Sequence, residues 1–293
     1  MSDVSRRGIA CAILAAAFYA LNSPLSKLLL QNVSATMMAA FLYLGAGLGM
    51  LLLSAAKRAS GHPSRELRLT RKELPYTVAM VVLDIAAPIS LMVGISRTSA
   101  ANASLLNNFE IVATALIAWV LFHEAISRKL LIGIVLVTLS TLLLSAQDVS
   151  SFSFSAGSLF VLLACTCWGL ENNCTRQLSG KDPLEIVTIK GIFSGLGSLA
   201  IALCIGEPLP AVRHILLALC LGFVAYGLSI AFYIYAQREL GAAKTSAYYA
   251  VAPFIGVTLS LILFREIPTP WFIAALLVMI AGTWFVTKAD AEC

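Results

Sequence analysis

Tyr19-Ala20-Leu21-Asn22, followed five residues on by Lys27, returns 149 positions later as Trp168-Gly169-Leu170-Glu171, followed five residues on by Arg176. Leu121-Phe122-His123-Glu124 returns 142 positions later as Leu263-Phe264-Arg265-Glu266. Around these landmarks lie ten apolar runs, near 8–30, 35–56, 74–96, 99–122, 129–146, 156–178, 184–205, 212–236, 242–263 and 270–287. A run of about twenty apolar residues crosses the hydrocarbon core as a helix. Five runs fall in each half, and five is odd, so a copy of the first half must enter the membrane from the opposite side. The pattern predicts an all-α polytopic membrane protein. Its ten transmembrane helices would form two inverted five-helix repeats, residues 1–149 and 150–293, in one integrated bundle.

Composition agrees. Only 12% of the 293 residues are charged and 59% are hydrophobic, whereas a soluble domain carries about 25% charged residues. Too few polar groups remain to solvate a water-facing surface. The first run is too long for a cleaved leader, and Asn22, Ser23, Ser26 and Lys27 interrupt it where small residues would be needed, so it reads as a helix of the mature protein. Six of the seven cysteines lie inside apolar runs, which predicts reduced, structural thiols.

The placement of positive charge predicts an orientation. With the N-terminus inside, the inner segments hold Arg6, Arg7, Lys57, Arg58, Arg65, Arg68, Arg71, Lys72, Arg128, Lys129, Arg176, Lys181, Arg238 and Lys288. The outer loops hold Arg97, Arg213 and Arg265, while Lys27, Lys190 and Lys244 fall within or at the edges of spans. This excess predicts a multi-pass protein of the cell's inner (plasma) membrane with both termini cytoplasmic. The basic stretch 57–72 then reads as an orientation signal touching anionic lipid, not as a nucleic-acid site.

Polar residues inside apolar runs are the candidate site, because charge in a bilayer costs several kcal/mol and needs a reason. Asp84 is flanked by Val81-Val82-Leu83 and Ile85-Ala86-Ala87, with Pro88 placed to kink the helix beside it. Asn107 and Glu110 share a helix face, and Ser99, Asn102 and Thr114 extend a polar stripe. Tyr19 with Asn22, and Trp168 with Glu171, occupy equivalent positions in the two halves, three residues apart and so on one face each. An aromatic ring beside an amide or a carboxylate suits an amphipathic zwitterion; ordinary core packing would equally explain Trp168. Tyr226, Ser229 and Tyr233 also share one face, and Tyr248 and Tyr249 sit near Pro253. The predicted cavity residues are Tyr19, Asn22, Asp84, Asn102, Trp168, Glu171, Tyr226, Tyr248 and Tyr249, with Asp84, Glu110 and Glu171 as candidates to carry a proton or ion. Glu124 and Glu266, in the tight turns before the last helix of each half, are expected to cap those helices or pair locally. Gly47 and Gly49 match Gly195 and Gly197 at a shift of 148, which predicts close helix packing.

Ten spans, a five-plus-five duplication and an apolar-Phe-x-Glu turn before each last helix resemble the EamA-like branch of the drug/metabolite transporter superfamily. Within it the chain is most similar to bacterial exporters of aromatic and other amino acids. The resemblance covers almost the full chain. It implies a central cavity lined by the first four helices of each half, a peripheral fifth and tenth helix, and efflux of small metabolites by alternating access. Amino acids are the implied substrates, with drugs or nucleotide-related metabolites as the alternative.

Other classes fit poorly. His123-Glu124 begins a zinc-binding H-E-x-x-H pattern, but position 127 is serine. The histidines are scattered and no phosphate-binding loop is present, so neither an enzyme, a cofactor nor a metal centre is expected. A channel would need a filter-like re-entrant loop, and a purely structural protein would not need Asp84, Glu110 and Glu171 in its interior.

Overall fold

In lipid every backbone polar group must find its partner inside the protein, which leaves helices as the economical solution for apolar runs. A computed structural model describes residues 3–60, 67–122, 127–148, 153–178, 180–240 and 248–290. The first run forms two helices, α1 (Asp3–Ala20) and α2 (Asn22–Leu29). The break follows from Pro24, which has no N–H to return to the Ala20 carbonyl; Leu21 N reaches back only to Phe18 O, at 3.3 Å. Helix α3 spans Ala35–Ala59. Its first turn is capped from across the chain: Ser34 Oγ and Met37 N donate to Glu207 Oε2 at 2.6 and 2.9 Å.

A short 3-10 turn, Arg71–Glu73, starts with a capping box in which Thr70 and Glu73 satisfy each other. It leads into α4 (Leu74–Arg97), which runs unbroken through Pro88. The last carbonyls of α4 are gathered by Lys27, whose Nζ donates to Ile95 O at 2.5 Å, Ser96 O at 3.2 Å and Thr98 O at 2.6 Å. Lys27→Met is expected to leave these carbonyls unpaired and to cost about 1.5–3 kcal/mol, the range for bonds to a charged group. A lowered midpoint of thermal unfolding in detergent would show it; an unchanged midpoint would mean water replaces the ammonium.

The fourth run is also split, into α5 (Ala100–Leu106) and α6 (Phe109–Phe122), with Asn107 and Asn108 in the turn between. Helix α7 (Arg128–Ser145) is followed by a two-stranded antiparallel ladder, β1 (Ala146–Asp148) and β2 (Ser153–Phe154). Then come α8 (Ala156–Leu178), α9 (Pro183–Cys204) and α10 (Val212–Gly222). A π-helical stretch, Phe223–Leu228, joins α10 to α11 (Ser229–Leu240). The chain ends with α12 (Ala252–Phe264) and α13 (Pro270–Asp290). The first, fourth and eighth runs, expected as plain continuous helices, are therefore interrupted. Among the described residues, six helical segments are long and apolar enough to cross a membrane.

The turn before α13 corrects the capping role expected of Glu266. Ser127 Oγ accepts from Leu130 N at 3.2 Å and Thr269 Oγ1 from Phe272 N at 3.1 Å, so hydroxyls cap α7 and α13. Glu266 is exposed, and Glu124 lies outside the described residues.

Packing pairs α3 with α9, α4 with α8, α1 with α11 and α7 with α13. The largest buried cluster runs along α3, α4 and α8 and includes Met38, Leu42, Tyr43, Leu91, Ile95, Cys165 and Trp168. Leu52, Val82, Val135, Leu277 and Trp284 instead face outward, as apolar side chains do against lipid. At the crossing of α3 and α9 the backbones touch. A methyl on Gly47 would lie 2.5 Å from Ile192 N, one on Gly191 2.3 Å from Gly47 N, and one on Gly195 2.7 Å from Leu44 N.

Candidate functional site

Asp84 of α4, Glu171 of α8 and Lys190 of α9 meet in the interior. Lys190 Nζ lies 3.1 Å from Asp84 Oδ2 and 3.0 Å from Glu171 Oε1. Asp84 is 0% exposed and Glu171 2%. The other oxygen of Asp84 accepts from Tyr43 OH at 2.8 Å and from Trp168 Nε1 at 3.2 Å. The Trp168 N–H is shared with Tyr43 OH, also at 3.2 Å. Thr175 Oγ1 donates to Glu171 Oε1. Each charge is thus neutralised or hydrogen-bonded, the condition under which ions survive burial.

Tyr43 joins this ionic group to a run of aromatic rings. Its ring centroid is 5.2 Å from that of Tyr226, and Tyr226 is 6.1 Å from Tyr19 in an edge-on contact. Tyr19 is 5.9 Å from Tyr249, and Tyr249 is 4.9 Å from Tyr233. Asn22 fixes one end: its Nδ2 donates to Tyr226 OH at 2.9 Å while Ser26 donates to its Oδ1 at 3.1 Å. Tyr226 stands in the π-helical stretch, whose extra residue per turn shifts the phase of the face it presents. Ser229 Oγ, one step on, donates to Ala15 O at 2.9 Å and ties α11 to α1.

Glu110 stands beside this group, accepting from Asn172 Nδ2 at 2.8 Å. Among the described residues three carboxyl groups therefore share this interior with one amine, and the balance is negative when all are ionised.

Seven of the nine predicted cavity residues fall in the two linked clusters: Tyr19, Asn22, Tyr226 and Tyr249 in one, Asp84, Trp168 and Glu171 in the other. Asn102 does not join them. Its amide nitrogen bonds Thr98 Oγ1 at 3.1 Å and Ser158 Oγ at 3.3 Å, near the end of the bundle. Tyr248 is 39% exposed. Lys244, Ser246 and the side chain of Gln237 lie outside the described residues. Two residues were missed, Tyr43 and Lys190. Lys190 carried a signal, a lysine seven residues beyond the Pro183 that opens an apolar run. Tyr43 carried none, being one more aromatic in an apolar helix.

Contacts tie helices together at both ends of the bundle. At one end Glu207 holds the start of α3 and Lys27 the end of α4. At the other, Lys181 Nζ lies 3.2 Å from Glu73, Asp182 N bonds Leu67 O at 2.8 Å, and Leu69 N bonds Glu185 Oε2 at 3.1 Å.

The EamA-like transporter family model matches the chain in two segments, residues 6–146 and 155–288. An uncharacterized transporter of Methanothermobacter thermautotrophicus is 26% identical over 87% of this chain and 78% of its own length. Uncharacterized transporter YyaM of Bacillus subtilis is 22% identical over 74% of each. A crystal structure of a protein 15% identical superposes with a TM-score of 0.68 over 99% of this chain and 98% of that one, so the fold is shared. With family matches spanning nearly its whole length, the chain belongs to the EamA-like transporter family of multi-pass membrane transporters.

Proposed function

We propose that the protein is a secondary exporter of amino acids, aromatic and other small ones, carrying them out of the cytoplasm by alternating access. The observation that carries this reading is the buried Asp84–Lys190–Glu171 group with its attached tyrosines, where elements of both halves meet. Ions are retained in such a place at a cost of at least about 3 kcal/mol each, so they mark a substrate or coupling path. In this reading the rings of Tyr19, Tyr226 and Tyr249 cover the apolar side chain and the carboxylates receive the ammonium. Asp84, Glu110 and Glu171 are the groups that would exchange a proton. The contacts tying helices together at the two ends would break in turn as one half rocks against the other.

We further read the chain as ten spans in two inverted repeats, 1–149 and 150–293, with both termini in the cytoplasm. Contacts support this. Gly47 meets Ile192 while Gly195 meets Leu44, and the shift of 148 that takes Gly47 to Gly195 also takes Leu44 to Ile192. Each contact becomes the other when the halves are exchanged, as a two-fold axis through the α3–α9 crossing requires.

The test is flux of radiolabelled threonine, methionine, phenylalanine and tryptophan into proteoliposomes, with and without a pH gradient and against empty liposomes. Saturable, competable flux is expected. Folded protein with no flux above control overturns the amino-acid reading. The second reading is export of cationic drugs, favoured by the negative balance of three carboxylates against Lys190, which disfavours nucleotide anions. Drug flux without amino-acid flux would establish it.

A further inference from the structure

Two helix breaks and the start of a third helix meet at one point and leave the Ser104 hydroxyl there without a partner. Helix α1 stops at Ala20, α5 stops at Leu106 and α12 starts at Ala252. Between them is a small cavity, lined among others by Tyr19, Ala20, Ser23, Ser104, Asn107 and Gly256, with room for about one ion or one water. Ser104 is 3% exposed, and its hydroxyl has no hydrogen-bond partner. That hydroxyl is aimed into the cavity. A methyl built on Gly256 would lie 2.9 Å from Ser104 Oγ and 3.3 Å from Ala20 O. The Ala20 carbonyl has lost its helical donor to Pro24.

The oxygens of the site come from the breaks where α1 and α5 end, with α2 and α6 beginning directly after them. At the facing start of α12, Pro253 has no N–H and both Phe254 N and Ile255 N are spent on Val251 O, each at 3.1 Å. Glu110 follows directly, with its amide bonded to Asn107 O at 3.1 Å. The unpaired Ser104 hydroxyl and the freed Ala20 carbonyl, in a pocket close to Glu110, favour a small cation over an anion. Interrupted half-helices bind coupling ions in membrane carriers for this physical reason.

We propose that this cavity binds a sodium-sized monovalent cation through Ala20 O, Ser104 Oγ and Ser23 Oγ. The ion ties α1, α2 and α5 together at their breaks and offsets part of the interior negative charge. Patterns of His, Cys, Asp and Glu cannot reveal such a site, since its ligands are neutral. Its use in coupling rests on the transporter reading; its existence is read by binding alone.

The test uses the full chain, purified and free of substrate. Thermal unfolding and binding of radioactive sodium are followed as sodium chloride replaces choline chloride at constant ionic strength. A saturable rise in the unfolding midpoint and saturable binding are expected. Ser104→Ala should weaken the apparent affinity about tenfold or more, the scale set by losing one partner in an ion site. Gly256→Ala places a methyl against the same hydroxyl and should do likewise, so the proposal stays testable if Ser104→Ala does not fold. Thr258→Ala, on an exposed face, should bind as the parent does. Identical unfolding in sodium, potassium and choline with no sodium binding would overturn the proposal and make this a water cavity, as would unchanged affinity in both variants. Sodium binding without flux of any amino acid leaves the site standing and counts against the export reading. Flux without sodium binding sinks this site alone.

Discussion

Lys190→Met is expected to lose about 3–5 kcal/mol of stability, the cost of leaving buried partner charges uncompensated. It should also abolish flux. The lysine lies between Asp84 Oδ2 and Glu171 Oε1, at 3.1 and 3.0 Å. Removing it leaves two carboxylates, 0% and 2% exposed, facing each other in an apolar setting. Tyr43 and Trp168 still satisfy Asp84 Oδ1, but Oδ2 keeps no partner. Lys190→Arg keeps the charge and should retain most of the stability. The triple variant Lys190→Met, Asp84→Asn, Glu171→Gln removes both carboxylates with the ammonium and should recover stability without recovering flux. That separation matters, because a merely structural ion pair would return both together. Thermal unfolding and proteoliposome flux of the three variants decide it. A Lys190→Met protein as stable and as active as the parent would remove this group from the mechanism.

The helical, multi-pass character was legible from long apolar runs, since length and hydropathy suffice to specify a membrane helix. The interruptions were less so. Pro24 and Pro253 are visible as residues without an N–H, yet Pro88 is equally visible and α4 passes straight through it. Whether a proline breaks a helix depends on what receives the freed carbonyl, and that is a tertiary fact. The π-helical stretch around Tyr226 has no local marker at all. Among the site residues, Asp84 and Glu171 were found because a carboxylate in an apolar run demands explanation. Their partner Lys190 was seen but given no role, for a single charge does not say which distant helix it answers. Asn102 shows the converse: a polar residue in the right stripe that the fold uses to bond Thr98 and Ser158 near the bundle end. Hydroxyls took the capping positions expected of Glu266, because Ser127 and Thr269 stand at the residue from which a side chain reaches back to the first turn's amides.

Gly191→Ala is expected to destabilise the protein by about 1–3 kcal/mol or more, the penalty for overfilling a tight contact. The added methyl would lie 2.3 Å from Gly47 N and 2.8 Å from Tyr43 O. Both obstacles are backbone atoms, so no rotamer change can yield; α3 and α9 must move apart. Gly222→Ala is as severe, with Leu42 O at 1.9 Å. Gly180 has nothing within 4 Å of the added carbon, so Gly180→Ala serves as the control and should behave as the parent. Size-exclusion profiles after a heating series would rank the variants, and Gly191→Ala surviving as well as Gly180→Ala would mean the crossing is looser than described. The consequence reaches function. Tyr43 donates to Asp84 from α3, and Lys190, the residue before Gly191, bridges Asp84 and Glu171 from α9. Spreading these helices would stretch both contacts at once. A Gly191→Ala protein that folds at low temperature should therefore transport more slowly than its remaining stability alone predicts, because the same glycine crossing that lets the helices touch also sets the distance across which the ionic group is held.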